Sequence, residues 1–161
     1  MPGIGFRINQ HDIEWGMSRE SVRQRLGMPN KVDDYVFELK KYFPNEDKPP
    51  IETWRDIYKN WRGEDNYFFL YYDRDQRLTQ LELHWGMPIR IGTVVLNFGE
   101  PLDSAVKQLA ETGIAHRAIE EGLLFEREKF TLSDGAMIGS DREGLAYFYA
   151  AADVSHILND L

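Results

Sequence analysis

The stretch Asn66-Tyr-Phe-Phe-Leu-Tyr-Tyr72, followed across the polar segment Asp73 to Arg77 by Leu78-Thr-Gln-Leu-Glu-Leu-His84, decides how the chain reads. The first run is dense in aromatic and apolar side chains, the composition of a β-strand. In the second, Leu81 and Leu83 alternate with Gln80, Glu82 and His84, the period of two that gives a strand one dry and one wet face. Two such runs joined by a short polar turn form a hairpin, and an antiparallel sheet tolerates water on one side.

Working back from this hairpin, residues 51–62 carry Ile51, Trp54, Ile57, Tyr58 and Trp61 at helical spacing, with Glu52, Arg55, Asp56, Lys59 and Arg62 between them. That spacing predicts an amphipathic helix of about three turns. Phe43-Pro-Asn-Glu-Asp-Lys-Pro-Pro50 is loop chemistry, and Tyr35 to Leu39 has strand character. Further back, Ser18 is an N-cap residue with Met17 and Val22 at the two positions of a hydrophobic staple and Glu20 in the first turn. Gly27 and Pro29 stop this helix, and Phe6 to Asn9 reads as an opening strand.

The second half repeats the order. Thr93 to Asn97 reads as a strand, Pro101 begins a helix over Leu102 to Thr112 that Gly113 ends, and a meander follows through Arg117–Glu120, Leu123–Leu132, Ala136–Gly139 and Leu145–Ala150. Asp153 to Leu161 reads as a short terminal helix. Sliding the chain by 83 positions sets Gly16 on Gly99, Glu20 on Asp103, Ser21 on Ser104 and Leu26 on Leu109. The expectation is an α+β fold with an antiparallel sheet and helices on one face, built from two tandem helix-plus-β-meander repeats, residues 1–88 and 89–161, packed as one domain. The two sheets would join edge to edge and leave the other face free to present side chains.

Composition bounds the function. A chain of 161 residues without cysteine has no disulfide, thiolate metal site or cysteine nucleophile, which suits a reducing, cytoplasmic location. No basic-then-apolar signal opens it, and no run approaches the ~20 apolar residues that cross a bilayer. The net charge of −8 divides into −2 over residues 1–88 and −6 over residues 89–161, a balance that repels phosphate backbones and favours a basic protein partner.

Catalytic groupings are not legible. His11, His84, His116 and His156 stand far apart, His-x-x-x-His is absent, and Asp73-Arg-Asp75 begins like a calcium loop but has neither its sixth-position glycine nor its final glutamate. No Gly-Lys-Ser/Thr phosphate loop occurs. Glu126 and Glu128 alternate as the wet face of a strand does. The expectation is therefore a protein without metal or cofactor that is not an enzyme. Candidate contacts for a partner are the acidic residues Glu120, Glu121, Glu126, Glu128, Asp141 and Glu143, and the aromatics Trp54, Tyr58 and Trp61, residue types that carry binding energy when exposed.

Ile13-Glu-Trp-Gly-Met-Ser-Arg-Glu-Ser-Val22, ending in Leu26-Gly-Met-Pro29, resembles the opening of the repeat units in β-lactamase-inhibitor-like proteins and in small outer-membrane assembly lipoproteins, over seventeen residues. Followed by a tyrosine-rich hairpin with the turn Tyr72-Asp-Arg-Asp-Gln-Arg-Leu78, it is also similar to small bacterial immunity proteins encoded beside polymorphic toxins. The resemblance implies a helix-and-sheet scaffold whose exposed face inhibits or docks a partner, here a basic toxin domain held by the acidic half. The chain lacks the lipoproteins' signal and lipidated cysteine and the inhibitor's disulfides, and no functional residue transfers. The alternative expectation is a homodimeric adaptor or housekeeping module that associates through aromatics of residues 51–72.

Overall fold

A computed structural model describes residues 5–159. The chain opens with a hairpin, β1 (Gly5–Ile8) and β2 (His11–Glu14), then α1 (Arg19–Leu26), β3 (Lys31–Val32), β4 (Tyr35–Phe37), β5 (Ile51–Lys59), β6 (Tyr67–Tyr72) and β7 (Leu78–Trp85). A second hairpin follows, β8 (Ile89–Ile91) and β9 (Val94–Leu96), then α2 (Leu102–Glu111), β10 (Arg117–Ile119), β11 (Gly122–Phe125), β12 (Phe130–Asp134), β13 (Leu145–Ala151) and α3 (Ser155–Asn159). The fold is α+β, dominated by antiparallel sheet.

Local chemistry sets these boundaries. Ser18 caps α1 by accepting a hydrogen bond from the Ser21 N–H at 3.2 Å, and Gly27 closes it with a positive φ of 89° while its N–H reaches the Arg23 carbonyl. The β6–β7 turn is closed by the Asp73 carboxylate, which accepts from the Arg77 N–H at 2.9 Å, so the stretch that resembled a calcium loop is turn chemistry.

Among the described residues, nine strands form the main sheet in the order β10-β11-β12-β13-β7-β6-β5-β3, with β4 also on β5. The two meanders thus join at their last strands, β7 against β13. Gly16 donates to the Leu78 carbonyl (2.8 Å) and Leu78 donates back to Met17 (2.9 Å); Gly99 donates to Leu145 (2.9 Å) and Leu145 to Glu100 (2.7 Å). Both glycines hold positive φ, 83° and 91°, which a side chain would strain. Just beyond Leu78 and Leu145, β7 and β13 each carry a register shift, at Thr79 and Ala146. With Leu78 matched to Leu145, the pairs Leu83–Phe148 and Leu81–Ala150 interchange, so an approximate two-fold axis runs through the Glu82–Tyr149 pair.

One face of the sheet carries the core. Val22 and Leu26 of α1 and Leu102, Ala105 and Leu109 of α2 bury against Phe68, Leu70, Leu81, Leu83, Leu132 and Phe148, with the two small hairpins completing the cover. A polar tether adds to this packing. Arg19, itself buried, bonds both Asp34 and the fully buried Asp56, and Arg23 bonds Asp56 at 2.8 and 2.7 Å, fixing α1 to β5. On the opposite face, α3 packs with Leu124, Tyr149, Ala151 and Val154 near the β10–β11 side and leaves the middle of the sheet open.

Residues 51–62 are not a helix. They form β5, paired with β6 from Trp54–Tyr72 to Lys59–Tyr67, followed by a tight turn at Trp61–Gly63. Trp54, Asp56 and Tyr58 face the helices and Arg55 and Ile57 the other side, so the strand period is present but masked by a buried aspartate. Leu123–Leu132 is two strands, divided at a turn where Lys129 adopts a φ of 61°, and Ala136–Gly139 is part of the β12–β13 loop. Thr93–Asn97 is the second arm of a hairpin whose first arm, β8, has no counterpart among the expected strands. The terminal helix is described as far as Asn159; residues 160 and 161 of that expectation lie outside the described residues.

Candidate functional site

The open face is richest in chemistry at the two-fold axis. There β7 presents Gln80, Glu82 and His84, β13 presents Tyr147 and Tyr149, and β6 presents Tyr67, Phe69 and Tyr71. Alternation places them on one side: Phe69, Glu82, Tyr149 and Thr131 form a single row across four strands. The row borders a cavity of about 590 Å³, lined at its far side by Ile119, Glu121, Ser133, Ile138, His156 and Ile157.

Glu82 is the electrostatic centre. Its side chain is 18% exposed, and its nearest basic group is His84, whose Nε2 lies 3.4 Å from Oε2. That nitrogen is shielded from solvent and makes no hydrogen bond, although the His84 ring packs on Phe69 at 4.6 Å and Tyr147 at 5.5 Å between centroids. Burial first, and then the Glu82 charge, push the Tyr147 and Tyr149 phenols well above their usual range. Tyr71 is pushed up to about 12 by burial and by Glu82, against the opposing pull of Arg55. These tyrosines stay protonated at any physiological pH and serve as hydrogen-bond donors and aromatic walls.

Both nearby guanidinium groups are engaged elsewhere. Arg55 pairs with Asp33, donates to the Tyr71 hydroxyl at 3.1 Å and lies over the Phe69 ring. Arg142 donates to the His84 carbonyl at 2.9 Å and covers Trp85. No Lys or Arg is among the described residues lining the cavity. Nor is any group of three or more His, Asp and Glu placed to hold a metal ion among the described residues.

The acidic residues singled out from sequence separate into two groups. Glu120, Glu121, Asp141 and Glu143 lie at the end of the sheet formed by the β10–β11 turn and the β12–β13 loop, and are all exposed; Glu121 lines the cavity. Glu126 and Glu128 sit at the opposite end, in the β11–β12 turn, where Glu126 pairs with Arg117 at 3.0 Å and Glu128 is half-buried. The aromatics divide as well. Tyr58 is fully buried, stacked on Phe68 and donating to the Gly27 carbonyl at 2.9 Å, and Trp61 is buried with its indole N–H on the Leu26 carbonyl at 2.8 Å. Trp54 is half-buried against the core. Tyr58 and Trp61 are packing residues and present no contact surface, because Tyr58 on β5 and Trp61 in the turn after it both bond the backbone at the C-terminal end of α1.

His11 and His116 lie away from this face, whereas His84 and His156 share the cavity, His156 meeting the Tyr149 hydroxyl at 3.2 Å. Sequence reasoning missed Glu82, Tyr147 and Tyr149 as a group. The alternation in β7 marked Glu82 and His84 as wet-face residues, but only the pairing of β7 with β13 sets two tyrosines beside them. No helix among the described residues is long and apolar enough to cross a membrane. Comparison with protein-family models, with curated proteins and with solved structures gave no match.

Proposed function

We propose that the chain is a non-catalytic, cytoplasmic binding protein that holds a basic protein partner on the open face of its sheet, in the manner of an immunity protein that neutralises a bacterial toxin. The observation that carries this reading is the open centre of the sheet, where Glu82, His84, Tyr147 and Tyr149 line a cavity while the opposite face is closed by α1, α2 and two hairpins. Tyrosine-lined hollows with a polar centre are the kind of surface in which a partner's side chains anchor. Glu120, Glu121, Asp141 and Glu143 at one end of the face add the negative field that steers a basic partner.

The test is affinity capture from the native host with the intact chain and with Tyr147→Ala as baits. A basic protein retained by the first and lost by the second, which arrests growth when expressed alone and is harmless when co-expressed with this chain, supports the reading. A captured protein that both baits hold equally removes the open face from the proposal.

A second reading has its own observation. Tyr35, Val36, Phe37, Tyr42, Phe43 and Ile51 are exposed together around β4, at the end of the sheet remote from β10. Such an apolar edge suits self-association. Sedimentation that gives a concentration-dependent dimer, reduced by Phe37→Lys, would favour a homodimeric adaptor.

A further inference from the structure

The cavity at the two-fold axis has the chemistry of a receptor for one particular kind of group. Its floor holds a carboxylate that burial has largely removed from water, with His84 at 3.4 Å and no Lys or Arg partner among the described residues, a situation that raises the free energy of the empty protein. Tyr147 and Tyr149 line it with aromatic rings, and a cation is attracted to such rings as well as to the carboxylate. Glu121 adds a second negative charge at the rim. Ile119, Ile138 and Ile157 add apolar surface to the lining. At about 590 Å³ the space exceeds what one ammonium or guanidinium fills, and takes a cationic head together with its aliphatic stem.

We propose that this cavity is a binding site for a basic side chain, an arginine or lysine, whose charged head pairs with Glu82 between Tyr147 and Tyr149 and whose stem lies along the three isoleucines. The proposal deepens the partner-binding reading above and rests on it for its biological meaning, but its chemistry belongs to the cavity alone. The two carboxylates disfavour an anion, and a neutral apolar ligand would leave Glu82 with His84 as its nearest basic neighbour and no Lys or Arg partner among the described residues. The two engaged guanidinium groups, Arg55 and Arg142, explain why the chain does not fill the site with its own cation: the first is held by Asp33 and Tyr71 and the second by the His84 carbonyl.

The experiment titrates the intact protein with n-butylguanidinium, n-butylammonium and the neutral isostere n-butylurea, following the aromatic ring resonances of His84, Tyr147 and Tyr149 by NMR. The expected result is saturable shifts with one or both cations in the millimolar range, as befits a single side chain, with the stronger cation telling arginine from lysine. Butylurea should bind about tenfold or more weakly, and Glu82→Gln, which keeps the shape, should bring the cations down to the butylurea level. Tyr147→Phe should retain binding and Tyr147→Leu weaken it. Equal shifts by butylurea and the cations, or cation binding unchanged in Glu82→Gln, would overturn the proposal. Because no partner enters the experiment, its failure is distinct from a failure to capture a toxin: a cation site without a toxin partner leaves the cavity's chemistry standing, and a toxin partner bound equally by Glu82→Gln does the reverse.

Discussion

Asp56 shows how far a single residue can govern both the fold and its legibility. Its carboxylate has no exposure and is held by Arg19 and Arg23, so its charge is compensated only while both arginines of α1 stay in place. Replacing it by alanine takes the carboxylate from Arg23 and leaves Arg19 with Asp34 and Gln76, and breaking a buried pair in this way costs about 3–5 kcal/mol. Chemical denaturation of Asp56→Ala should show that loss in the midpoint with little change in slope. Asp34, at the rim of the same cluster, has a different signature. Burial raises its pKa, but the hydrogen bond from Arg19, the Arg55 N–H and the arginine charges outweigh burial and hold it below the ordinary carboxylate range. A depressed folded-state value means that the unfolded chain takes up the proton first as pH falls. The stabilisation is therefore present above the ordinary carboxylate pKa and disappears as pH drops through the folded value. The stability difference between the wild type and Asp34→Asn should be largest near neutrality and shrink between about pH 5 and about pH 2; a difference constant across that range would show that Asp34 contributes packing and not charge.

Among the elements, β5 and the segment before it separate what the sequence displays from what it conceals. The β6–β7 hairpin, both main helices and the Ser18 cap of the first were legible because each element buries apolar side chains at one clear period and is bounded by its own turn or stop residues. In β5 the helix-facing row is Trp54, Asp56 and Tyr58, and a carboxylate at its centre reads as solvent-facing unless its two arginines on α1 are known to be there. The same limit applied at the open face: Glu82 and His84 were visible as polar positions, but the tyrosines beside them arrive from a strand more than sixty residues away. Ala136–Gly139 misled for the opposite reason, being apolar enough through Met137 and Ile138 to read as a strand while lying exposed in a loop. The long β4–β5 connection has no counterpart in the second half, and residues 40–50 are exposed throughout. Joining Phe37 to Ile51, which are register partners, through an Asn-Gly turn in place of residues 38–50 should change stability by no more than about 1 kcal/mol, because little core is removed and loop closure becomes cheaper. A larger loss on thermal or denaturant unfolding would mean that the excursion supports β5.

At the scale of the whole molecule, the question is whether two similar halves behave as one. Each meander alone would leave a long apolar edge at β7 or β13, and only their pairing closes the sheet. The core crosses that joint without a break: Leu81 and Leu83 from the first half and Phe148 from the second belong to the same buried cluster as the residues beneath both helices. Such continuity predicts a single cooperative transition. The chain offers a direct probe, because all four tryptophans, Trp15, Trp54, Trp61 and Trp85, lie in the first half. Fluorescence therefore follows that half, whereas far-ultraviolet circular dichroism follows the helices and strands of both. Phe148→Ala lies in the second half and removes a ring stacked on Phe130 and paired across the joint with Leu83. It should cost about 3–5 kcal/mol. If the halves are one cooperative unit, the fluorescence midpoint moves with the dichroism midpoint by the same amount, although no tryptophan belongs to the altered half. If the fluorescence midpoint stays where it was, the two halves unfold separately, and the Glu82–Tyr149 axis becomes a docking interface between independent units, able to open.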